Sequence, residues 1–274
     1  MQQTLKNILG FCAFGAVLLL IGCRGSSGGG GSSAAPAVKY RLTQVQDSLV
    51  SIFENSTLTI QYGYIKNIND GNGWTAGRAG FTSKTGDMLE VLLEYARLNP
   101  GTRLERYIPI LQAIKGTNST AGLSDLEFDW SAQVAHDPLF SQAQDNVNNR
   151  LYRMPASDMA DAVGAVLPLS LAAIYEAGIQ HGYGDDYDSI PKIVERASST
   201  VGGNPRIGID ELVWLRAFLE ERKKDLQAPA NVAAAAAMRE SVDRANAMLR
   251  LYQTGNYNLS QQITIAVFGS SYTF

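Results

Sequence analysis

Apolar residues recur at helical spacing over 40–53, where Leu42, Val45, Leu49, Ile52 and Phe53 share one face. An amphipathic helix is therefore expected, delivering Glu54 near its C-terminal end. The period then changes: Leu58, Ile60, Tyr62 and Tyr64 occupy alternate positions, the pattern of a half-buried strand. Asp70-Gly-Asn-Gly closes that segment with glycines that accept positive φ, so a tight reversal is expected to turn Asp70 back toward Glu54 across a groove. Thr85-Gly-Asp opens a second helix carrying Met88, Leu89, Leu92, Leu93 and Ala96 up to the stop at Asn99-Pro100-Gly101. Asp87 falls in its first turn, where the helix dipole favours a carboxylate.

Helical patterns follow over 103–114, 131–152, 157–181, 190–199, 211–226 and 230–252. The alanine run 233–237 belongs to the last of these, because Val232, Met238, Val242 and Met248 give it an apolar face. Ile263, Ile265 and Val267 alternate and predict a terminal strand. Neither an internal repeat nor a parallel βαβ pattern is visible, which excludes a doubly wound sheet. The expected class is α+β, mostly α-helical.

The N-terminal pattern differs. Lys6 precedes an apolar run over 8–21, and Leu20-Ile21-Gly22-Cys23 ends it. That order predicts a lipoprotein signal peptide over 1–22, with Cys23 becoming the acylated first residue and holding the protein to a membrane. Residues 25–33 are only Gly and Ser, so 23–37 reads as a lipidated Cys and a flexible tether spanning on the order of 20 Å. Residues 38–274 form the remaining domain. Arg24 is not the Asp that favours inner-membrane retention, so an extracytoplasmic, outer-membrane location is expected, or a secreted or periplasmic one if the lipobox is unused. The two cysteines are Cys12, in the removed segment, and Cys23, so the mature domain has no disulfide to lean on. The net charge of −3 and the interspersed Lys and Arg give no nucleic-acid footprint.

Two carboxylates facing one another across a groove, Glu54 and Asp70, can divide acid and base roles. Other templates fail. Gly71-Asn72-Gly73-Trp74 lacks the third glycine and the βαβ context of a dinucleotide fingerprint, and no Gly-x-Ser-x-Gly elbow occurs. With only His136 and His181 and no usable cysteine, a catalytic zinc site does not fit, and no cofactor is expected. Tyr64, Tyr152 and Trp74 are candidates for stacking on sugar faces or for plain core packing.

The run Glu54-Asn-Ser, Tyr62-x-Tyr-Ile, Asp70-Gly-x-Gly-aromatic-Thr and Gly80-Phe-x-Ser-x-Thr-Gly-Asp-Met-Leu resembles the chitosanases of glycoside hydrolase family 46. Weaker similarity continues through Phe140-Ser-Gln-Ala-Gln, Tyr175-Glu-Ala-Gly-Ile-Gln-His-Gly, Phe218-Leu-Glu-Glu-Arg-Lys and Arg244 to Gly255-Asn256. The resemblance implies a lysozyme-like fold, with two helical lobes and a small antiparallel sheet flanking a substrate cleft. It implies a monomeric endo-hydrolase of β-1,4 glucosamine linkages in chitosan, inverting, with Glu54 as general acid, Asp70 as general base and Thr75 holding the attacking water. Asp87 would recognise a glucosamine ammonium, and His181 would fall on a substrate-side loop. Glu176, where the family more usually has Asp, would form a charged network behind the acid with Arg222 and Arg244. Asn72 stands where many relatives carry Arg. The rival readings are a lysozyme-like muramidase acting on peptidoglycan and a non-catalytic glycan-binding surface lipoprotein.

Overall fold

The computed structural model describes residues 36–69, 71–232 and 235–274. The expected signal peptide, Cys23, most of the tether and Asp70 lie outside the described residues. Helix α1 (Pro36–Asn55) buries Val45, Leu49, Ile52 and Phe53 completely, the face that the spacing predicts. It ends where Ser56 adopts a positive φ of 53°.

The alternating run 58–64 does not form a strand. The Tyr62 and Gly63 carbonyls are taken by side chains instead of a ladder: Trp130 Nε1 and Gln144 Nε2 donate to Tyr62 O at 2.9 and 3.1 Å, and Ser131 Oγ donates to Gly63 O at 3.2 Å. Pairing begins only at β1 (Ile65–Asn67), which joins β2 (Trp74–Ala76) and β3 (Phe81–Thr82) in an antiparallel sheet of order β1-β2-β3. The register sets Lys66 opposite Thr75 and Thr75 opposite Thr82.

Helix α2 (Asp87–Leu98) starts at the expected residue, behind Gly86 at φ 90°, where a Cβ would collide with the Lys115 side chain. A 3-10 turn (Arg103–Tyr107) leads into α3 (Ile108–Ile114), and α4 (Leu126–His136) and α5 (Pro138–Asn148) complete a first helical group around the sheet. A π-helical turn (Asn149–Arg153) and α6 (Met154–Val163) cross to α7 (Pro168–His181). There α8 (Ile190–Val201), α9 (Glu211–Gln227), α10 (Ala235–Glu240), α11 (Val242–Gln253) and the hairpin β4 (Thr264–Val267)–β5 (Ser270–Thr273) form the second group.

Three of the long helical patterns are therefore interrupted. Pro138 cannot continue α4, and Asp137 turns extended and caps α5 by accepting from Leu139 N at 2.9 Å. Gly164, at φ 76°, ends α6, and Pro168 restarts α7. Ser241 separates α10 from α11.

Among the described residues one main hydrophobic core runs through both groups. Phe140 anchors the first side, its ring 4.8 Å from Tyr95 and 4.7 Å from Trp130, while Trp214 stacks on Phe218 at 5.7 Å in the second. Each such burial contributes about 1.5–3 kcal/mol or more, so the charged groups described next sit inside a well-packed frame. No helix among the described residues is long and apolar enough to cross a membrane.

Candidate active site

Glu54 occupies the last turn of α1, and the packing of Phe53 and Ile52 into the core fixes its height. Its side chain is 6 % exposed. Arg244, on α11, donates from Nη1 to Glu54 Oε1 at 2.8 Å, and its guanidinium lies 5.2 Å from the Phe53 ring centroid. Burial raises the Glu54 pKa above the ordinary carboxylate range; Arg244 opposes this rise, and Glu176 adds to it. The carboxyl therefore retains a proton to higher pH than an exposed glutamate, with Oε1 held by a guanidinium and Oε2 turned toward Gly80.

Thr75 reaches the same place from the central strand. A Cβ at Gly80 would stand 3.6 Å from Thr75 Cγ2 and 3.7 Å from Glu54 Oε2, so Gly80 separates the two with no side chain of its own. Gly80 also needs its φ of 65° for the turn into β3. Thr75 is 2 % exposed, and its Oγ1 is buried without a hydrogen-bond partner. Leaving such a hydroxyl unpaired costs about 1–3 kcal/mol, which a water or ligand oxygen would recover. Asp70 belongs to the connection between β1 and β2 and lies outside the described residues.

Behind Glu54 the charges alternate. Arg244 Nε donates to Glu176 Oε1 at 2.9 Å, and Arg222 donates to the same carboxylate through Nη1 and through Nη2, the latter at 2.9 Å. Gln180 Oε1 accepts from Arg222 Nη2 at 2.6 Å. Burial disfavours ionised Glu176, yet the two guanidiniums hold its pKa below the ordinary value. The structure thus brings together Glu54, Arg244, Glu176 and Arg222 from α1, α11, α7 and α9.

His181 is placed differently from the substrate-side loop expected of it. It is the last residue of α7, 1 % exposed, with Nδ1 2.8 Å from Asp188 O and Nε2 facing Arg222 Nε at 3.4 Å. Donation from Nδ1 to the carbonyl leaves Nε2 as acceptor, and burial beside Arg222 pushes the imidazole pKa well below 6.5, so the ring is neutral. The well-packed end of α7 draws it into the interior.

Asp87 is also enclosed, at 6 % exposure. Its Oδ1 accepts from Thr82 N at 2.6 Å, Thr85 Oγ1 at 2.5 Å and Met88 N at 2.9 Å, while Tyr152 donates its hydroxyl to Oδ2 at 3.0 Å. Burial raises the Asp87 pKa, and these donors oppose it. Tyr152 is thus buried beside Asp87, whereas Tyr64 and Trp74 keep part of their surface open.

Sequence reasoning missed Arg78, Gln144, Gln180 and Asp225. A lone arginine between small residues carries no periodic signal, and Gln144 and Gln180, though inside the runs Phe140-Ser-Gln-Ala-Gln and Tyr175-Glu-Ala-Gly-Ile-Gln-His-Gly, show their roles only through burial and partners. Among the described residues no group of three or more His, Cys, Asp or Glu is placed to hold a metal ion.

The glycosyl hydrolase family 46 model matches residues 48–263. A chitosanase from Bacillus subtilis (strain 168) is 41 % identical over 221 residues, 80 % of this chain and 79 % of its own length. Among solved structures, a mutant chitosanase from Bacillus subtilis MY002 complexed with 6 GlcN superposes with a TM-score of 0.81 at 38 % identity, covering 85 % of this chain and 98 % of that one. The Gynuella sunshinyii GH46 chitosanase in complex with chitotetraose gives a TM-score of 0.81 at 42 % identity, covering 85 % and 97 %. A family model that spans most of the chain and chitosanases that match it over most of their length lead to one conclusion: this chain belongs to glycosyl hydrolase family 46.

Proposed function

We propose that this chain is an endo-acting chitosanase that hydrolyses β-1,4 links between glucosamine units with inversion, using Glu54 as general acid, Asp70 as general base and Thr75 to hold the attacking water. The observation that carries the reading is the setting of Glu54: a buried carboxyl whose proton affinity burial raises, with one oxygen fixed by Arg244 and the other turned toward Gly80 and Thr75.

The proton passes from Oε2 to the leaving oxygen as the bond to the anomeric carbon breaks. Arg244 already lies against the carboxylate that this leaves, so the developing charge needs no new partner. On the opposite face of the sugar, water loses a proton to Asp70 as its oxygen bonds to the anomeric carbon. A separation of about 6.5–9.5 Å between the two carboxyls accommodates that water. Thr75 Oγ1, buried and unpartnered, is suited to orient it. Asp87 Oδ2 accepts only from Tyr152 among its contacts above, leaving capacity for a substrate ammonium. An N-acetylated sugar offers no such charge. Tyr64 and Trp74 are assigned to sugar stacking, and the chain acts as a monomer without a cofactor.

Reducing ends released from chitosan, chitin and peptidoglycan, measured side by side, test the substrate. Chitosan is expected to be the preferred one, and NMR of the fresh hydrolysate should show the α-anomer first. Early β-anomer would remove Asp70 as base. Glu54→Gln and Asp70→Asn should each lower kcat by at least about 10²-fold while the protein stays folded.

The Leu20-Ile21-Gly22-Cys23 run supports an acylated Cys23 and anchoring to a bacterial membrane, and Arg24 in place of Asp favours the outer one. Cys23→Ser should move the protein from the membrane fraction to the soluble one. Retention at high salt would rule the anchor out.

A further inference from the structure

The segment 77–80, between β2 and β3, is held by a second set of charges that the chemistry above does not use. Arg78 is 4 % exposed, although its carboxylate partners lie nearer the surface. Its Nη2 donates to Asp47 Oδ1 on α1 at 2.6 Å, and its Nη1 donates to Asp145 Oδ1 on α5. Arg153, from the π-helical turn, donates to the same Asp47 oxygen. Tyr62 OH donates to Asp145 Oδ1 at 2.8 Å. The backbone is fixed as well: Gly77 N donates to Tyr64 O at 2.7 Å, and Arg78 N donates to Gln144 Oε1 at 3.2 Å.

Asp47 precedes Glu54 by seven residues on the same helix, which is two turns, so both side chains leave α1 on one face, about 10 Å apart along the axis. Arg78 therefore joins the helix that carries the acid to the loop that carries Gly80. That loop begins directly after the strand that carries Thr75. Glu54 and Thr75 come from separate elements and meet across Gly80, so their separation depends on how that loop docks on α1. The Arg244 side of the site holds Glu54 from α11 and α7.

We infer that Arg78 is a positioning residue: through Asp47 and Asp145 it sets the distance between the general acid and the threonine that orients water, without itself touching substrate. This rests on the acid role proposed for Glu54. A displacement of about 1 Å between reacting groups can cost 10²-fold, so a clamp on this distance belongs in kcat and not in binding.

The test compares chitosan hydrolysis by Arg78→Met, Arg78→Lys and Glu54→Gln with the unaltered protein, well below each variant's Tm. Arg78→Met is expected to lower kcat about tenfold or more with KM within twofold. Arg78→Lys, which can reach one carboxylate, should recover part of the loss. Unchanged kcat in a folded Arg78→Met, or a loss carried by KM, would overturn the inference. If Arg78→Met does not fold, Arg78→Lys decides alone: full activity together with a lowered Tm would mean that the cluster serves stability only. Retained activity in Glu54→Gln would instead defeat the acid assignment, whatever the arginine variants do.

Discussion

Two arginine–carboxylate clusters fasten α1 at points two turns apart on one face, and they work in different surroundings. Behind Glu54, the residues Arg244, Glu176 and Arg222 are 2 %, 0 % and 0 % exposed. At the other cluster Asp47, Asp145 and Arg153 keep 20 %, 43 % and 23 % of their side chains open to water. Water screens the second set and lowers the cost of disturbing it. In the first, each charge depends on its neighbours, because removing one leaves another buried without compensation. The lesson is chemical as much as structural. With Glu54 protonated, the buried set of two arginines and one glutamate carries a single positive charge, which restrains the upward shift that burial imposes on the acid. The rim cluster governs where α1 meets the loop, and the buried cluster governs what proton Glu54 holds.

Removing a buried charge is expected to have the largest effect. Glu176→Gln leaves Arg222 and Arg244 facing one another without their shared carboxylate, and a loss of about 3–5 kcal/mol is expected from denaturant unfolding. Because Glu176 helps raise the Glu54 pKa and Arg244 lowers it, the alkaline limb of kcat/KM should move down in Glu176→Gln and up in Arg244→Met. Shifts of the same sign in both variants would show that the limb does not report Glu54.

A smaller effect, tied to pH, is expected at the far end of the buried set. Asp225 carries a fully buried side chain bonded to Arg196, and burial, together with nearby Asp188, raises its pKa from 3.8 to about 7. The folded state thus holds a proton that the unfolded state releases above about pH 4. The stabilising contribution is complete below that pH and is lost as pH rises through about 7. In melts from pH 4 to pH 8, the unaltered protein should lose Tm relative to Asp225→Asn. A constant difference between the two would refute the shift.

The smallest change belongs to the rim. Asp145→Asn, at a side chain 43 % exposed, should cost about 1 kcal/mol or less and shrink further in 0.5 M salt, whereas the Glu176→Gln loss should persist there. Equal salt sensitivity at both positions would remove the distinction between the clusters.

What the sequence determined by itself is local. Apolar spacing placed α1 and α2, and Thr85-Gly-Asp marked the start of α2, because helix faces and caps are written within a few turns of chain. The Glu54 and Thr75 motifs were legible for the same reason, each lying in one continuous run. Periodicity failed where a distant partner overrode it. The alternating run 58–64 became a loop because Trp130, Ser131 and Gln144, far along the chain, took the Tyr62 and Gly63 carbonyls. His181 read as a loop residue beside a glycine, yet Arg222 and the Asp188 carbonyl enclose it. Tertiary structure alone decided that Glu54 meets Arg244 across 190 residues and that Arg78 meets Asp47 and Asp145. Proton affinity and the placing of reacting groups depend on burial and on charges brought together through space, and neither quantity exists until the chain has folded.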